Sequence, residues 1–140
     1  MLSTASVAPT IPAADLARAR KFYEEGLGLK PLQARATGVL YECGNGTTLF
    51  LYQGEVTKSD HVVAAFEVKD VDREIAELKK KGIILEQCDF NKCNDVGKVA
   101  TFGQEKAMWF KDSEGNVLVI MQVGMLVELE QSLFPFWGRY

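Results

Sequence analysis

A chain of 140 residues and 15.5 kDa suits one domain, or two small halves sharing a core, and folds without needing a disulfide or a metal. Its 47% apolar and 25% charged residues are those of a folded soluble protein and exclude a disordered chain. Its 16 basic and 19 acidic residues leave a net charge of −3 with no basic tract, which argues against a nucleic-acid partner.

Residues 1–12 hold neither a basic region nor a continuous apolar run, so no secretory leader is expected. The longest apolar stretches, such as Val117–Met121, are strand-length, and no membrane partner is expected. Three cysteines, Cys43, Cys88 and Cys93, are an odd number without framework spacing, which fits a cytoplasmic protein. Cys88 and Cys93 read as one strand and one loop cysteine, because the only histidine, His61, is distant from them.

In chain order, residues 7–15 form a short extended stretch ending in Asp15, which is placed to cap a helix over 16–28. Leu16, Ala19, Phe22 and Tyr23 give that helix its apolar face. An extended stretch follows at Lys30–Arg35. Residues 38–53, GVLYECGNGTTLFLYQ, then read as two strands about a tight turn, where Gly46 supplies the positive φ. Residues 62–70 are again extended and end in Asp70, followed by a helix over 71–82 with Val71, Ile75 and Leu78 on one face. Lys79, Lys80 and Lys81 complement that helix's dipole before Gly82 closes it.

Ile83–Phe90 is extended. Asn91 to Gln104 is rich in loop formers, and a mobile flap or a short extra strand is expected there. If it is a lid, ligand binding orders it and shields Trp109. Residues 107–122, AMWFKDSEGNVLVIMQ, form a second hairpin turning at Gly115. It aligns with residues 38–53 without a gap at an offset of 69, and both end in glutamine, Gln53 and Gln122. The upstream segments 7–15 and 62–70 align at an offset of 55, so the second copy carries 14 extra residues. The order β-α-β-β-β thus occurs twice.

The segment DLARARKFYEEGLGLKPL, with its Phe22–Tyr23 pair and Leu-Gly turn, resembles the opening of the vicinal oxygen chelate superfamily. The hairpin WFKDSEGNVLVIMQ resembles its closing aspartate-x-x-glycine-asparagine turn. That superfamily includes glyoxalase I, bleomycin-resistance proteins and extradiol dioxygenases. The resemblance covers about residues 5–122 and implies an α+β fold: two βαβββ modules forming an open, cup-shaped mixed sheet with helices on the outer face. It divides the chain into a glyoxalase/bleomycin-resistance-like domain at 1–122, with modules at about 5–55 and 60–122, and an aromatic C-terminal tail at 123–140. It also implies a homodimer.

Metal-using members of the superfamily take His, Glu or Gln ligands from the first and last strand of each module. The matching positions here are Ala8, Phe50, Val63 and Val119, none with a donor atom, so no metal or other cofactor is expected. Because residues two apart on a strand share a face, Thr48, Tyr52, Val117 and Met121 join Phe50 and Val119 on the cup face, with Trp109 and Leu40 beside them. Phe110 and Tyr41 go under the helices. The candidate ligand-binding residues are therefore Phe50, Tyr52, His61, Trp109, Val119 and Met121, lining a site for a small apolar or aromatic molecule.

No catalytic residue is assigned, since one histidine without a nucleophile-elbow pattern makes no recognisable triad. The leading reading is a metal-independent small-molecule-binding protein of the glyoxalase/bleomycin-resistance type. One alternative is a metal-free lyase or isomerase in the same cup, with His61 or Tyr52 as acid/base. The other is a non-catalytic interaction module acting through Phe134, Phe136, Trp137 and Tyr140 of the tail.

Overall fold

A computed structural model of the chain describes residues 1–57, 61–83, 99–102 and 105–122. The tail at 123–140, most of the Asn91–Gln104 segment and residues 84–90 lie outside the described residues. Two compact units emerge. The first joins residues 1–63 to 112–117, and the second joins 64–111 to the chain from 118 onward.

The first unit contains β1 (Thr10–Ala13), α1 (Leu16–Lys21), β2 (Lys30–Arg35), β3 (Gly38–Glu42) and β4 (Thr48–Gln53). Their sheet has the order β1-β4-β3-β2, with β1 parallel to β4 and the other pairs antiparallel. This is the β-α-β-β-β order read from the repeat. Alternation along the strands separates two faces. Ile11, Ala13, Val39, Tyr41, Leu49 and Leu51 are at most 2% exposed and form the core face. The α1 helix packs against β4 on this side and adds Ala19. Each large side chain so buried contributes roughly 1.5–3 kcal/mol.

The helix expected over 16–28 is α-helical only to Lys21 and continues as a π-helical turn, Phe22–Gly26. The Leu27 amide reaches back to the Phe22 carbonyl at 2.9 Å, and Gly28 ends the segment at φ 76°. Within the wider turn, Tyr23 reaches inward to Asp112 while Glu24 reaches Tyr41. The β3–β4 turn follows its sequence: Asn45 at φ 55° and Gly46 at φ 76° take up the left-handed conformation.

Across the second repeat run β5 (Val62–Val68), α2 (Val71–Lys80), β6 (Val99–Phe102), β7 (Glu105–Lys111) and β8 (Val117–Gln122). The sheet order β5-β8-β7-β6 copies the first. Val71 and Leu78 are the buried residues of α2, which packs on β7, whose Met108 and Phe110 are buried. Strand β6 lies within the inserted segment and holds the edge position that β2 holds in the first sheet, paired antiparallel with β7 from Val99–Met108 to Phe102–Glu105. Among the described residues no helix is long and apolar enough to cross a membrane.

The two helices start in the same way. Asp15 accepts a hydrogen bond from the Arg18 amide at 3.1 Å, and Asp70 from the Arg73 amide at 3.2 Å. The repeated glutamine completes each cap. Gln53 Oε1 accepts from the amide of Leu16, the first residue of α1, at 3.1 Å, while its Nε2 donates to the Ala14 carbonyl. Gln122 Oε1 accepts from the amide of Val71, the first residue of α2, at 3.0 Å. Gln53→Ala is expected to cost about 1 kcal/mol, the scale of a lost cap. Urea unfolding measures this, and a loss below a few tenths would count against the capping role.

Candidate functional site

The face of the first sheet turned away from α1 carries the first candidate residues. On β4 it presents Thr48, Phe50 and Tyr52, all half-buried. Register places Leu40 opposite Phe50 and Gly38 opposite Tyr52 on β3, with Thr10 and Pro12 beside them on β1. The Phe50 and Tyr52 rings stack nearly parallel, with centroids 6.2 Å apart and planes 12° apart. A missing side chain makes room for them. A Cβ on Gly38 would lie 2.6 Å from Phe50 Cζ, so the Phe50 ring lies flat across β3 at that residue. The result is an apolar patch with one phenol.

The other candidates sit elsewhere. His61 is exposed, in the first unit, immediately before β5. Trp109 is half-buried on β7 and alternates with the buried Met108 and Phe110, so it occupies the opposite face of that strand. Val119 is buried at 4% exposure on β8, and Met121, two residues on, is half-buried. Phe50 and Tyr52 therefore come together in one unit, whereas Trp109, Val119 and Met121 belong to the other.

The donor chemistry does not suit a divalent cation at the superfamily's ligand positions. Ala8, Phe50, Val63 and Val119 offer hydrocarbon only. Among the described residues no three His, Cys, Asp or Glu side chains gather into a possible metal site.

The densest polar cluster went unforeseen, although its residues carry the two family-like segments. Asp112, 6% exposed, accepts from the Tyr23 hydroxyl at 2.5 Å and from Asn116 Nδ2 at 2.9 Å, both at Oδ2. Its Oδ1 accepts from the amides of Glu114 and Asn116, each at 2.8 Å. Asn116 Nδ2 also donates to the Pro12 carbonyl. Glu114 holds Arg18 through a two-point ion pair of 2.7 and 3.0 Å and accepts from the Asp15 amide at 2.9 Å. These bonds pin the 112–117 turn to α1 and β1 within the first unit. Their role is structural: every partner is inside the protein, and no buried side-chain polar atom among the described residues lacks one.

Charge follows this geometry. Burial and the nearby Asp112 carboxylate push the Tyr23 phenol upward, and burial with Glu24 does the same to Tyr41. The Arg20 hydrogen bond holds Glu24 below the usual carboxylate range. Burial opposes ionisation of Glu114, but hydrogen bonds from Arg18, the Asp15 amide and Ser113 prevail and hold it low as well. A carboxylate lowered in the folded state contributes stability that is present above its unfolded pKa of about 4.5 and is lost as pH falls through the folded value. Thermal melting is therefore expected to weaken below about pH 4.5. Glu24→Gln and Glu114→Gln should flatten that limb; an unchanged acid limb in both variants would refute the assignment.

The sequence model of the Glyoxalase/Bleomycin resistance protein/Dioxygenase superfamily matches residues 5–120. A search of curated protein sequences returns no significant match. Among solved structures, the chain is similar to a bleomycin resistance determinant encoded on the transposon Tn5. The TM-score is 0.67 at 17% identity, over 85% of this chain and 98% of that one. It is also similar to TnmS3, an antibiotic binding protein from Streptomyces sp. CB03234, with TM-score 0.62 and 22% identity over 85% and 97%. A lactoylglutathione lyase from Agrobacterium tumefaciens gives 0.64 and 18% over 85% and 93%. At these identities the likeness is one of fold.

Proposed function

Since the chain belongs to the glyoxalase/bleomycin resistance protein/dioxygenase superfamily, we propose that it works as one of that superfamily's metal-independent binders, holding a small apolar or aromatic molecule. The observation that carries this reading is the stacked Phe50–Tyr52 pair on the open face of the first sheet. A flat ring stacks on such a pair and gains both area burial and aromatic contact, roughly 0.5–1.5 kcal/mol beyond the area term. The Tyr52 hydroxyl, Thr48 and the exposed His61 supply polar groups that orient the ligand. Where metal-using relatives place a ligand on the last strand of the first module, this chain places Phe50 itself. The names of two neighbours, a bleomycin resistance determinant and an antibiotic binding protein, support a small organic ligand. Trp109, Val119 and Met121 are proposed, within the second unit, as further ligand-binding residues, and the proposed working form is a cytoplasmic homodimer.

The test is mass spectrometry of the purified protein under native and denaturing conditions, with metal analysis on the same sample. The expected result is a bound organic molecule that survives chelation and substoichiometric zinc, nickel, manganese and iron. A stoichiometric metal, lost together with the bound molecule on chelation, would overturn the proposal.

A further inference from the structure

The open face of the first sheet is not evenly apolar, and its charges are not evenly matched. Register puts Lys30, Gln33 and Arg35 of the edge strand β2 on this face, opposite Glu42, Leu40 and Gly38. All six residues of β2 are exposed. Lys30 therefore has a carboxylate directly across the strand pair. Arg35 has a glycine, and among the described residues it forms no ion pair or hydrogen bond with a side chain. The Phe50 ring fills the space over that same glycine. A guanidinium with no side-chain partner among the described residues thus begins on β2, with only β3 between it and the stacked aromatic pair of β4.

From this juxtaposition we infer that the ligand is an anionic aromatic molecule: its ring stacks on Phe50 and Tyr52 while its carboxylate or sulfonate pairs with Arg35. This rests on the reading of the open face as a small-molecule site and adds the charge of the ligand. A guanidinium suits the role because its planar fork meets a carboxylate at two points and its face tolerates aromatic neighbours. Gln33, between Arg35 and Lys30 on the same face, adds an amide donor for the acid group. The protein as a whole carries −3, so its general field disfavours anions. A preference for an anion must come from a local group, and Arg35 is the one placed to give it.

Three probes of one shape separate the possibilities: naphthoate, naphthalenemethanol and naphthylmethylamine, titrated into the full chain by calorimetry. Naphthoate is expected to bind about five- to tenfold more tightly than the neutral alcohol, the scale of one partly exposed charge-assisted contact. That margin should shrink with added salt. Arg35→Gln should bring naphthoate level with the alcohol, and Arg35→Lys should keep part of the margin. Both variants should melt like the parent, since the side chain is exposed. Equal binding of acid and alcohol by the parent, or a preference for the amine, would overturn the anionic assignment and leave the apolar site standing. Binding of none of the three would overturn both.

Discussion

Asp112→Ala is expected to destabilise the protein by about 3–5 kcal/mol, which places it among the most damaging single substitutions in the first unit. The carboxylate is almost fully buried and accepts four hydrogen bonds from side-chain and backbone donors. Deleting it strands the buried Tyr23 hydroxyl and releases two amides of the 112–117 turn. The cost is then the desolvation of the orphaned donors, not only the loss of the bonds. A double-mutant cycle with Tyr23→Phe isolates the pair, and a coupling of at least about 1 kcal/mol is expected. An Asp112→Ala variant within about 1 kcal/mol of the parent in urea unfolding would show that the cluster is ornamental.

Phe50→Ala is expected to weaken naphthoate binding at least tenfold, about 1.4 kcal/mol, with a stability loss near 1–2 kcal/mol because the ring is only half-buried. Gly38→Val should reproduce the binding defect by another route. Its Cβ would come within 2.6 Å of Phe50 Cζ and 3.0 Å of the Leu51 carbonyl oxygen, forcing the ring off the sheet and pressing on the β4 backbone, so the variant's fold is checked by its melting curve. Two variants that act on one ring from opposite sides protect the test against simple misfolding. If both fold and both bind naphthoate within twofold of the parent, Phe50 is ordinary packing.

What could be read from the residues and what could not divide along a physical line. Local rules located Asp15 and Asp70 as caps and Gly46 and Gly115 as turn residues, because each depends on neighbours within a few positions. The offsets of 69 and 55 carried the module order, since copies of a sequence pattern fold alike. Alternation placed Tyr41 and Phe110 on buried faces and left Leu40, Phe50 and Tyr52 less covered. The Asp112–Tyr23 bond joins residues 89 positions apart, and no periodicity announces such a pair. Gln53 and Gln122 stood out as repeated, yet their task as helix caps needed the sheet to bring each strand end beside its helix start. Strand β6 lies in the polar, glycine-bearing stretch whose composition suited a flap and a short strand equally, and the π-helical turn after Lys21 has the same apolar spacing as a helix. The ring of Phe50 over Gly38 depends on a diagonal contact across two strands, which strand alternation alone does not specify.

The most direct measurement is nuclear magnetic resonance of the chelator-treated, isotopically labelled protein during titration with naphthoate. Metal-free binding on the open face of the first sheet should shift the resonances of Arg35, Leu40, Phe50 and Tyr52 first and most. Residues of the core face, such as Val39 and Leu51, should move little. Shifts that appear only after zinc or manganese is added, or that bypass β3 and β4 altogether, would contradict a metal-independent site at the Phe50–Tyr52 pair.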